Sequence, residues 1–357
     1  MVKRASVEVA NRKNPESRAK MRDVAALARV SIQTVSNFVN GRHDEMSAET
    51  RDRVAKAMRA LRYRTNVAAA SLRSQRMRTI AFLVLDQHAA FLADPLTDQL
   101  IAGVGDVARD KLYSVLIQSA QPGEHDVDFF SALRDGRVDG AVIQLSGKRS
   151  IRREYLEEAR SLGLPIVVID EEGLPPGLLS VRAEQKHGAR VLTDHLIQTG
   201  HRRIAFIGAQ IPWAVVEQRV AGYRASLRAS SIPVDANYLL LKAGYKALAG
   251  EELATFLLTR NRSSRPTAII CGSDLLAAGA MSAAKSLGLS IPKDVAIAGF
   301  NDFEFSAYLD PPLTTVRVPA YEMGVRAATS LIAVLQEEEV DLTPQLFPTE
   351  MVLRGSA

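Results

Sequence analysis

The feature that most constrains the fold of this chain is a series of short, almost continuously apolar runs that begins near Thr79. Stretches with helical periodicity separate the runs, which cover residues 80–85, 114–118, 140–145, 165–170, 203–208, 267–271 and 295–300. Continuous apolar strands that alternate with helices are typical of parallel sheets covered on both faces. Seven such strands in this chain fit two doubly wound lobes better than one.

A repeated pattern supports two lobes. Ser-Leu-Gly-Leu occurs at residues 161–164 and again at residues 286–289, each time before an apolar run. In both copies we predict a helix that ends at a glycine with positive φ, then a buried strand with an acidic or amide residue at its C-terminal end. Ligands bind beyond the carboxyl ends of strands in open α/β sheets, so the sequence predicts a ligand cleft between the lobes.

Basic residues are concentrated near the N-terminus. Residues 1–80 contain 18 Lys and Arg against 7 Asp and Glu, a balance of +11, whereas residues 81–357 have a balance of −6. This asymmetry is typical of a small polyanion-binding module joined to a larger domain with another task. A solvated basic tail would give the same asymmetry, so charge alone does not decide between the two.

The composition excludes other classes of protein. The only cysteine, Cys271, rules out a disulfide scaffold, and 47% hydrophobic residues argue against a disordered chain. No window has the roughly 18 uninterrupted apolar residues of a membrane span. The first twenty residues contain eight charges and no apolar segment of a signal peptide. We therefore expect a soluble, cytoplasmic protein.

The N-terminal part predicts three short helices around a small core. The first two have apolar residues at Val24, Leu27, Ala28, Val35, Phe38 and Val39, and the third at Val54, Ala57, Met58 and Leu61. We expect Ser31 to N-cap the second helix, Asn40-Gly41 to end it, and Ser47 to N-cap the third.

The first two helices have the pattern of a helix-turn-helix, with Ile32, Gln33, Ser36 and Asn37 facing outward at the start of the second. The first turns of a recognition helix enter the DNA major groove, where Gln or Asn can bond adenine bidentately. An ordinary three-helix cap with polar surface residues is the alternative, and this pattern by itself favours neither interpretation.

With the adjoining sequence, the chain resembles the lactose-repressor (LacI/GalR) family of bacterial transcription regulators from about Met21 to the C-terminus. The matching motifs are Asp23-Val24-Ala25, Thr34-Val35-Ser36, Asn40-Gly41, Thr50-Arg51, Leu61-Arg62-Tyr63 and residues 66–72, 200–205, 219–222 and 311–316. Several collinear motifs are more specific than any one of them. The resemblance implies a homodimer, which we expect to be a repressor, whose paired helix-turn-helices bind a pseudo-palindromic operator.

The resemblance also implies which residues contact DNA. In the helix-turn-helix they are Ser31, Ile32, Gln33, Thr34, Ser36, Asn37 and Asn40. The segment that begins at Asn66 matches a hinge helix that forms on specific DNA, and Leu72 matches a leucine that wedges between base pairs in the minor groove. Without the resemblance, a simple helical linker would be the better interpretation of this segment.

Three residues in this part depart from the family pattern. Arg29 stands in the turn where the family usually has Gly, which predicts either left-handed strain or a different turn. Thr65 replaces the usual Pro before the hinge. Asn37 replaces the usual Arg, which removes one long contact to a base or phosphate.

The fold class is therefore predicted as α/β, with an N-terminal three-helix helix-turn-helix domain and a two-lobed effector domain like the periplasmic binding proteins. We expect a flexible basic arm at residues 1–20, the DNA-binding domain at 21–64, a hinge at 65–78, and effector binding and dimerisation at 79–357. The first lobe is expected at about 79–180 and 313–341, and the second at about 181–311 and 342–357. The chain would cross between lobes near Ser180, Pro311 and Leu342.

Positions that match the family's ligand contacts lie at predicted strand ends. They are Asp94 and Asp170 in the first lobe and Arg219, Tyr245, Ser273, Asp274 and Asn301 in the second. Arg219 can bond vicinal hydroxyls or a carboxylate, and Asp170 can accept hydrogen bonds from sugar hydroxyls. A structural helix cap is at least as good an interpretation of Asp274. Ser273 and Asn301 replace the family's usual Asn and Asp, and the missing carboxylate relaxes discrimination against anionic ligands.

These features predict a DNA-binding regulator whose operator affinity is altered by a small polar effector, a sugar or sugar derivative. An enzyme is the first alternative, but the chain has no Gly-rich phosphate loop, Cys/His metal spacing or nucleophile elbow, so we expect no catalytic residue, metal or cofactor. A solute-binding transport protein would share the effector fold, but it would need an export signal and no basic head. A dimer is favoured over a tetramer because no heptad extension follows the effector domain.

Overall fold

A computed structural model of the protein describes residues 19–39, 42–63, 76–86, 92, 94–121, 128–210, 213–244, 246–341 and 343–357. The chain divides into two compact units, Met1–Gln75 and Arg76–Ala357. Within the described ranges, no helix has the length and apolar character needed to cross a membrane. The same ranges contain no cluster of His, Cys, Asp and Glu side chains suited to a metal ion.

The described residues of the first unit form three α-helices and a short 3-10 helix. They are α1 (Met21–Ala28), α2 (Ile32–Val39), the 3-10 helix His43–Glu45, and α3 (Ala48–Ala60). Both predicted N-caps are confirmed: Ser31 Oγ accepts from the Thr34 amide at 3.0 Å and Ser47 Oγ accepts from the Thr50 amide at 3.2 Å. The helix α2 ends at Val39, and the predicted stop at Asn40-Gly41 lies outside the described residues.

One core residue of this unit was predicted wrongly. Val24, Ala25 and Ala28 face the core of the first unit, but Leu27 is 54% exposed. Successive residues of an α-helix are rotated by about 100°. Ala28 therefore lies between Val24 and Ala25 on the buried face, whereas Leu27 lies about 60° beyond Val24, outside that face.

The second unit begins with a parallel sheet of six strands in the order β11-β5-β4-β3-β1-β2. Its strands are β1 (Thr79–Leu85), β2 (Ser114–Ala120), β3 (Gly140–Leu145), β4 (Ile166–Ile169), β5 (Leu179–Ala183) and β11 (Gln345–Phe347). The helices around it are α4 (Pro95–Asp110), α5 (Ser131–Arg134), α6 (Arg149–Ser161) and α11 (Ala320–Leu335). Even-numbered residues of β1 enter one hydrophobic cluster and odd-numbered residues another, so both faces of the sheet are covered, as predicted.

The second lobe contains a parallel sheet of four strands in the order β7-β6-β8-β9. Its strands are β6 (Ile204–Ala209), β7 (Leu239–Ala243), β8 (Ala268–Cys271) and β9 (Ala296–Ala298). Its helices are α7 (Gln185–Gln198), α8 (Ala214–Ala229), α9 (Ala247–Leu258) and α10 (Asp274–Ser286), with 3-10 helices at Ala236–Tyr238 and Glu304–Tyr308. The two glycines of the repeated motif have the predicted positive φ, +63° at Gly163 and +69° at Gly288.

The chain crosses between the lobes at other points than the sequence predicts. Ser180 lies inside the first-lobe strand β5, so the crossing follows Ala183. Beyond Pro311, Thr314 and Arg317 still form bridges to the second lobe, and the chain enters the first lobe only at α11. The predicted lobe boundaries at residues 180 and 311 therefore lie a few residues too early.

The third crossing also differs from the prediction. Leu342 lies outside the described residues, and the strand β11, predicted to be in the second lobe, pairs in parallel with β5 of the first. This pairing satisfies backbone groups at the edge of the first sheet. The chain then returns through β12 (Glu350–Val352), which is antiparallel to β10 (Thr315–Arg317), and Ser356 Oγ donates to Ile297 O in the second lobe at 2.6 Å.

Candidate functional site

Arg29 forms the turn before α2, the predicted recognition helix. Its φ and ψ of 54° and 49° are left-handed, and its amide donates to the carbonyls of Ala25 and Ala26. The predicted left-handed conformation is therefore present, at a position where glycine would have no steric cost. The turn directs the first residues of α2, with exposed Ile32 and Gln33, away from the core of the first unit.

The predicted DNA-contacting residues occupy different surroundings. Ser31 and Thr34 form the N-terminal cap of α2, and Ser36 is half-buried. Gln33 and Asn37 are joined, because Gln33 Nε2 donates to Asn37 Oδ1 at 2.8 Å. Asn37 Nδ2 in turn donates to Glu45 Oε2. Three further predicted contacts lie outside the described residues, namely Asn40, Asn66 and Leu72.

In the second unit, Asp170 lies directly after β4, at the edge of the first lobe where the strands end. It is 6% exposed and has a positive φ of 54°. Its Oδ1 accepts from the Ala183 amide at 2.8 Å, and its Oδ2 accepts from Gln185 Nε2 at 3.3 Å. Burial raises the pKa of Asp170 to about 6, although these hydrogen bonds and the charge of Arg219 favour the carboxylate.

Arg219, on α8, is the centre of the polar network in the second lobe. Its Nε donates to Gln185 Oε1 at 2.8 Å, and its Nη2 donates to Asn301 Oδ1 at 2.9 Å. Its Nη1 donates to the Gly272 carbonyl at 2.6 Å, and the guanidinium lies 4.4 Å from the ring centre of Phe300. Gln185, which the sequence analysis missed, thus connects Asp170 to Arg219, and Arg219 bonds Asn301 directly.

Two further predicted effector contacts, Asp94 and Ser273, are helix N-caps. Asp94 Oδ1 accepts from the Leu96 amide at 3.1 Å at the start of α4, and Ser273 Oγ accepts from the Leu276 amide at 3.3 Å at the start of α10. Burial raises the pKa of Asp94, the charge of Arg219 lowers it, and the charge of Asp86 raises it further. These influences bring Asp86, which the sequence analysis missed, into the same electrostatic environment.

Asp274 belongs to the scaffold of the second lobe. It is fully buried, its Oδ1 accepts from Thr315 Oγ1 at 2.6 Å, and its Oδ2 accepts from the Phe303 amide and Ser306 Oγ, each at 2.8 Å. The cap of α10 is Ser273 and Asp274 is its first residue, so the predicted cap is displaced by one position. Tyr245 lies outside the described residues.

An ion pair also connects the two lobes. Arg152, on α6 of the first lobe, is 1% exposed; its Nε donates to Glu171 Oε2 at 2.7 Å and its Nη1 donates to the Gly147 carbonyl at 2.6 Å. Its Nη2 donates to Glu217 Oε2 on α8 of the second lobe at 3.0 Å. Burial raises the pKa of Glu171, and the charge of Arg152 opposes this shift. Arg152 therefore compensates a buried carboxylate and contacts the opposite lobe.

The raised pKa of Asp170 predicts a pH dependence of stability. A folded-state pKa of about 6, against an ordinary value of 3.8, means that folding favours the protonated carboxyl. The contribution of Asp170 to the free energy of unfolding is therefore fully present below pH 3.8 and is lost as the pH rises through 6. The loss is about 3 kcal/mol, because a difference of one pKa unit corresponds to about 1.4 kcal/mol.

Asp170→Asn removes this titration. We expect urea unfolding of the second unit to show that the variant gains stability relative to the wild type between pH 4 and 7.5. Because other carboxylates titrate equally in both proteins, the difference between the two pH curves is the relevant measurement. A difference that does not change with pH would show that Asp170 has an ordinary pKa.

Comparisons with known proteins match both units. Residues 20–66 match the family described as bacterial regulatory proteins, lacI family, and residues 193–357 match a periplasmic binding protein-like domain. The chain is 32% identical to the HTH-type transcriptional repressor CytR of Escherichia coli strain K12 over 345 residues, which cover 96% of this chain and 98% of CytR.

Solved structures are similar to this chain over nearly its whole length. The Lac repressor dimer bound to operator and the anti-inducer ONPF has a TM-score of 0.80 at 25% identity, with 95% of this chain and 98% of that chain covered. A complex of the transcriptional regulator CelR with cellobiose has a TM-score of 0.69 at 28% identity, with 95% and 100% covered. The order of the domains is therefore shared along nearly the whole chain.

Proposed function

Because this chain belongs to the LacI family of bacterial regulatory proteins, we propose that it represses transcription as a cytoplasmic homodimer bound to a pseudo-palindromic operator. It is a DNA-binding transcriptional regulator and not an enzyme. In the proposal, a small polar effector between the lobes of the second unit alters operator affinity. The observation that carries the DNA-binding function is the helix α2, which presents exposed Gln33 after a helix-turn-helix turn.

Exposed apolar side chains support the homodimer. On the first lobe, Leu112 precedes the edge strand β2, and Ile117 lies within it. On the second lobe, Leu248 and Phe256 are exposed on α9. Contiguous exposed apolar patches are typical of association surfaces, and we propose that these residues contribute to one. A second copy of the chain would cover these residues, which lie on both lobes.

The polar network supports a sugar or sugar derivative as the effector. Asp170 and Asn301 offer hydrogen-bonding groups at strand ends of the first and second lobes, the usual ligand position in open α/β sheets, and Arg219 reaches Asn301 from α8. The similar CelR structure contains cellobiose. A ligand that contacts both lobes favours one lobe arrangement, and its influence on DNA binding cannot exceed its differential affinity for the two arrangements.

The hinge residues Asn66 and Leu72 remain predicted operator contacts.

Gln33→Ala tests the proposed DNA reading. An operator is first selected with the full-length protein from randomised duplexes, and affinities are then measured by fluorescence anisotropy at several salt concentrations. We expect the variant to lose roughly 1–3 kcal/mol on the selected operator and little on random DNA. The log-affinity slope should steepen by about 0.9 for each phosphate neutralised. Equal losses on both DNAs would remove Gln33 from the base-reading residues.

A further inference from the structure

Three polar side chains form a chain of hydrogen bonds along the surface of the recognition helix. Gln33 and Asn37 lie four residues apart on α2, and Gln33 Nε2 donates to Asn37 Oδ1 at 2.8 Å. Asn37 Nδ2 donates to Oε2 of Glu45, which ends the 3-10 helix after α2. The three side chains therefore connect an exposed residue at the start of α2 with a carboxylate outside the helix.

The carboxylate of Glu45 determines the direction of this chain of bonds. An ionised carboxylate can only accept hydrogen bonds, so Asn37 must turn its amide nitrogen toward Glu45. The Asn37 oxygen then faces Gln33 and can only accept, which obliges Gln33 to donate from its own amide nitrogen. A single charge thus fixes the orientation of two amide groups.

This direction determines what Gln33 can offer to a base. One of its two N–H groups is used by Asn37, so its oxygen and one N–H remain. One donor beside one acceptor matches the N7 and N6 groups of adenine in the major groove. Guanine presents two acceptors there, N7 and O6, and the Gln33 oxygen would face one of them.

We propose that Glu45 is a positioning residue for base recognition, which orients Gln33 through Asn37 so that Gln33 selects adenine over guanine. The inference rests on the proposed function, because it assumes that α2 reads the major groove. It assigns to Glu45 an effect on specificity that is opposite in sign to its effect on affinity. Its negative charge repels phosphates and so weakens binding to every duplex, whereas its hydrogen bond sharpens the choice of base.

Glu45→Gln tests this role, with Asp44→Asn as the matched control. The two variants remove one negative charge each from neighbouring exposed positions of the same 3-10 helix. Of these two residues, Glu45 is the one that accepts the hydrogen bond from Asn37. An amide at position 45 can donate as well as accept, so in Glu45→Gln the orientations of Asn37 and Gln33 can reverse. Gln33 would then turn both N–H groups toward the base, as guanine requires.

The experiment selects duplexes from a randomised pool with the full-length wild type, both variants and Gln33→Ala. The position whose preference Gln33→Ala abolishes is the one that Gln33 reads. There we expect the wild type to prefer adenine over guanine by roughly 5- to 150-fold. Glu45→Gln should bring this ratio toward one, while Asp44→Asn should leave it unchanged. Affinity for random DNA should rise equally in both charge variants, with unchanged thermal midpoints.

Three results would overturn the inference: a wild-type preference for guanine at that position, an unchanged ratio in Glu45→Gln, or the same change in Asp44→Asn. The proposed function fails in a different way. If the wild type enriched no sequence from the pool, the chain would not be a sequence-specific DNA-binding protein, and the base preference would not arise.

Discussion

Arg152→Met is expected to destabilise the effector domain by about 3–5 kcal/mol, because it leaves the buried carboxylate of Glu171 without its cation. Methionine retains much of the length and volume of the arginine stem, so the loss reflects charge more than packing. Urea unfolding of the full-length protein at pH 7, followed through the transition of the effector domain, measures the effect. Lower pH should reduce the loss, because Glu171 can then be protonated.

A matched control lies on the same helix. Arg160 pairs with Glu157 one turn away at 3.0 Å, and both side chains are exposed. Exposed pairs contribute about 0–1 kcal/mol, so Arg160→Met should have little effect. The double variant Arg152→Met/Glu171→Gln should recover most of the lost stability, because it removes both charges. If Arg152→Met were as mild as Arg160→Met, Glu171 would not depend on Arg152.

The contact of Arg152 with Glu217 should contribute little to stability but should influence the arrangement of the two lobes. Glu217 is 45% exposed, so solvent screens the pair and its contribution to stability is small. The pair nevertheless holds α6 of one lobe against α8 of the other. An effector that changes the lobe arrangement must keep or break this contact, and the contact therefore contributes to the free-energy difference between the two arrangements.

Arg219→Ala is expected to weaken effector binding by at least about 30-fold, since truncating a buried, hydrogen-bonded charge costs about 2 kcal/mol or more. The variant also leaves Gln185 Oε1 and Asn301 Oδ1 without the hydrogen bonds from Arg219 that orient these two side chains of the second lobe. The effector is first identified by a thermal-shift screen of sugars and sugar acids. Titration calorimetry with that sugar on the full-length protein then gives the affinity.

Two further variants make this result specific. Arg219→Lys keeps the positive charge but removes the planar fork, and it should still lose most of the affinity. Arg228→Ala removes an exposed arginine from the last turn of the same helix and should bind the sugar normally. All three variants should bind the selected operator without effector about as well as the wild type. Full sugar affinity in Arg219→Ala would show that the effector does not occupy this cleft.

The sequence could predict those parts of the fold that depend on local patterns. The predicted strands are present because each is a short, largely apolar run, although the edge strand β2 is only partly buried. Gly163 and Gly288 have the positive φ expected where their helices end. The strand β5 and the edge strand β11 beside it were missed. They are short, and β11 is only partly buried, so their pairing depends on a partner distant in the chain.

The candidate site could be predicted only in part for a similar reason. Asp170, Arg219 and Asn301 were found because they match family positions, and the structure shows how they are connected. Gln185 was missed because a single buried glutamine forms no motif. The Arg152–Glu217 pair joins residues 65 positions apart on different lobes, and no local spacing indicates such a contact.

The backbone at the two strand ends of the cleft limits how ligand preference can change by mutation. Asp170 and Asn301 both have positive φ, 54° and 104°, a region that most side chains rarely adopt but that Asn and Asp tolerate better than most. Most single substitutions at either position would therefore disturb the backbone as well as the ligand contact. Exchange between Asp and Asn avoids this, since the two have nearly the same shape. If the proposed effector binds in this cleft, one such exchange adds or removes a charge beside it, so a single substitution could shift the preference between neutral and charged effectors without rebuilding the cleft.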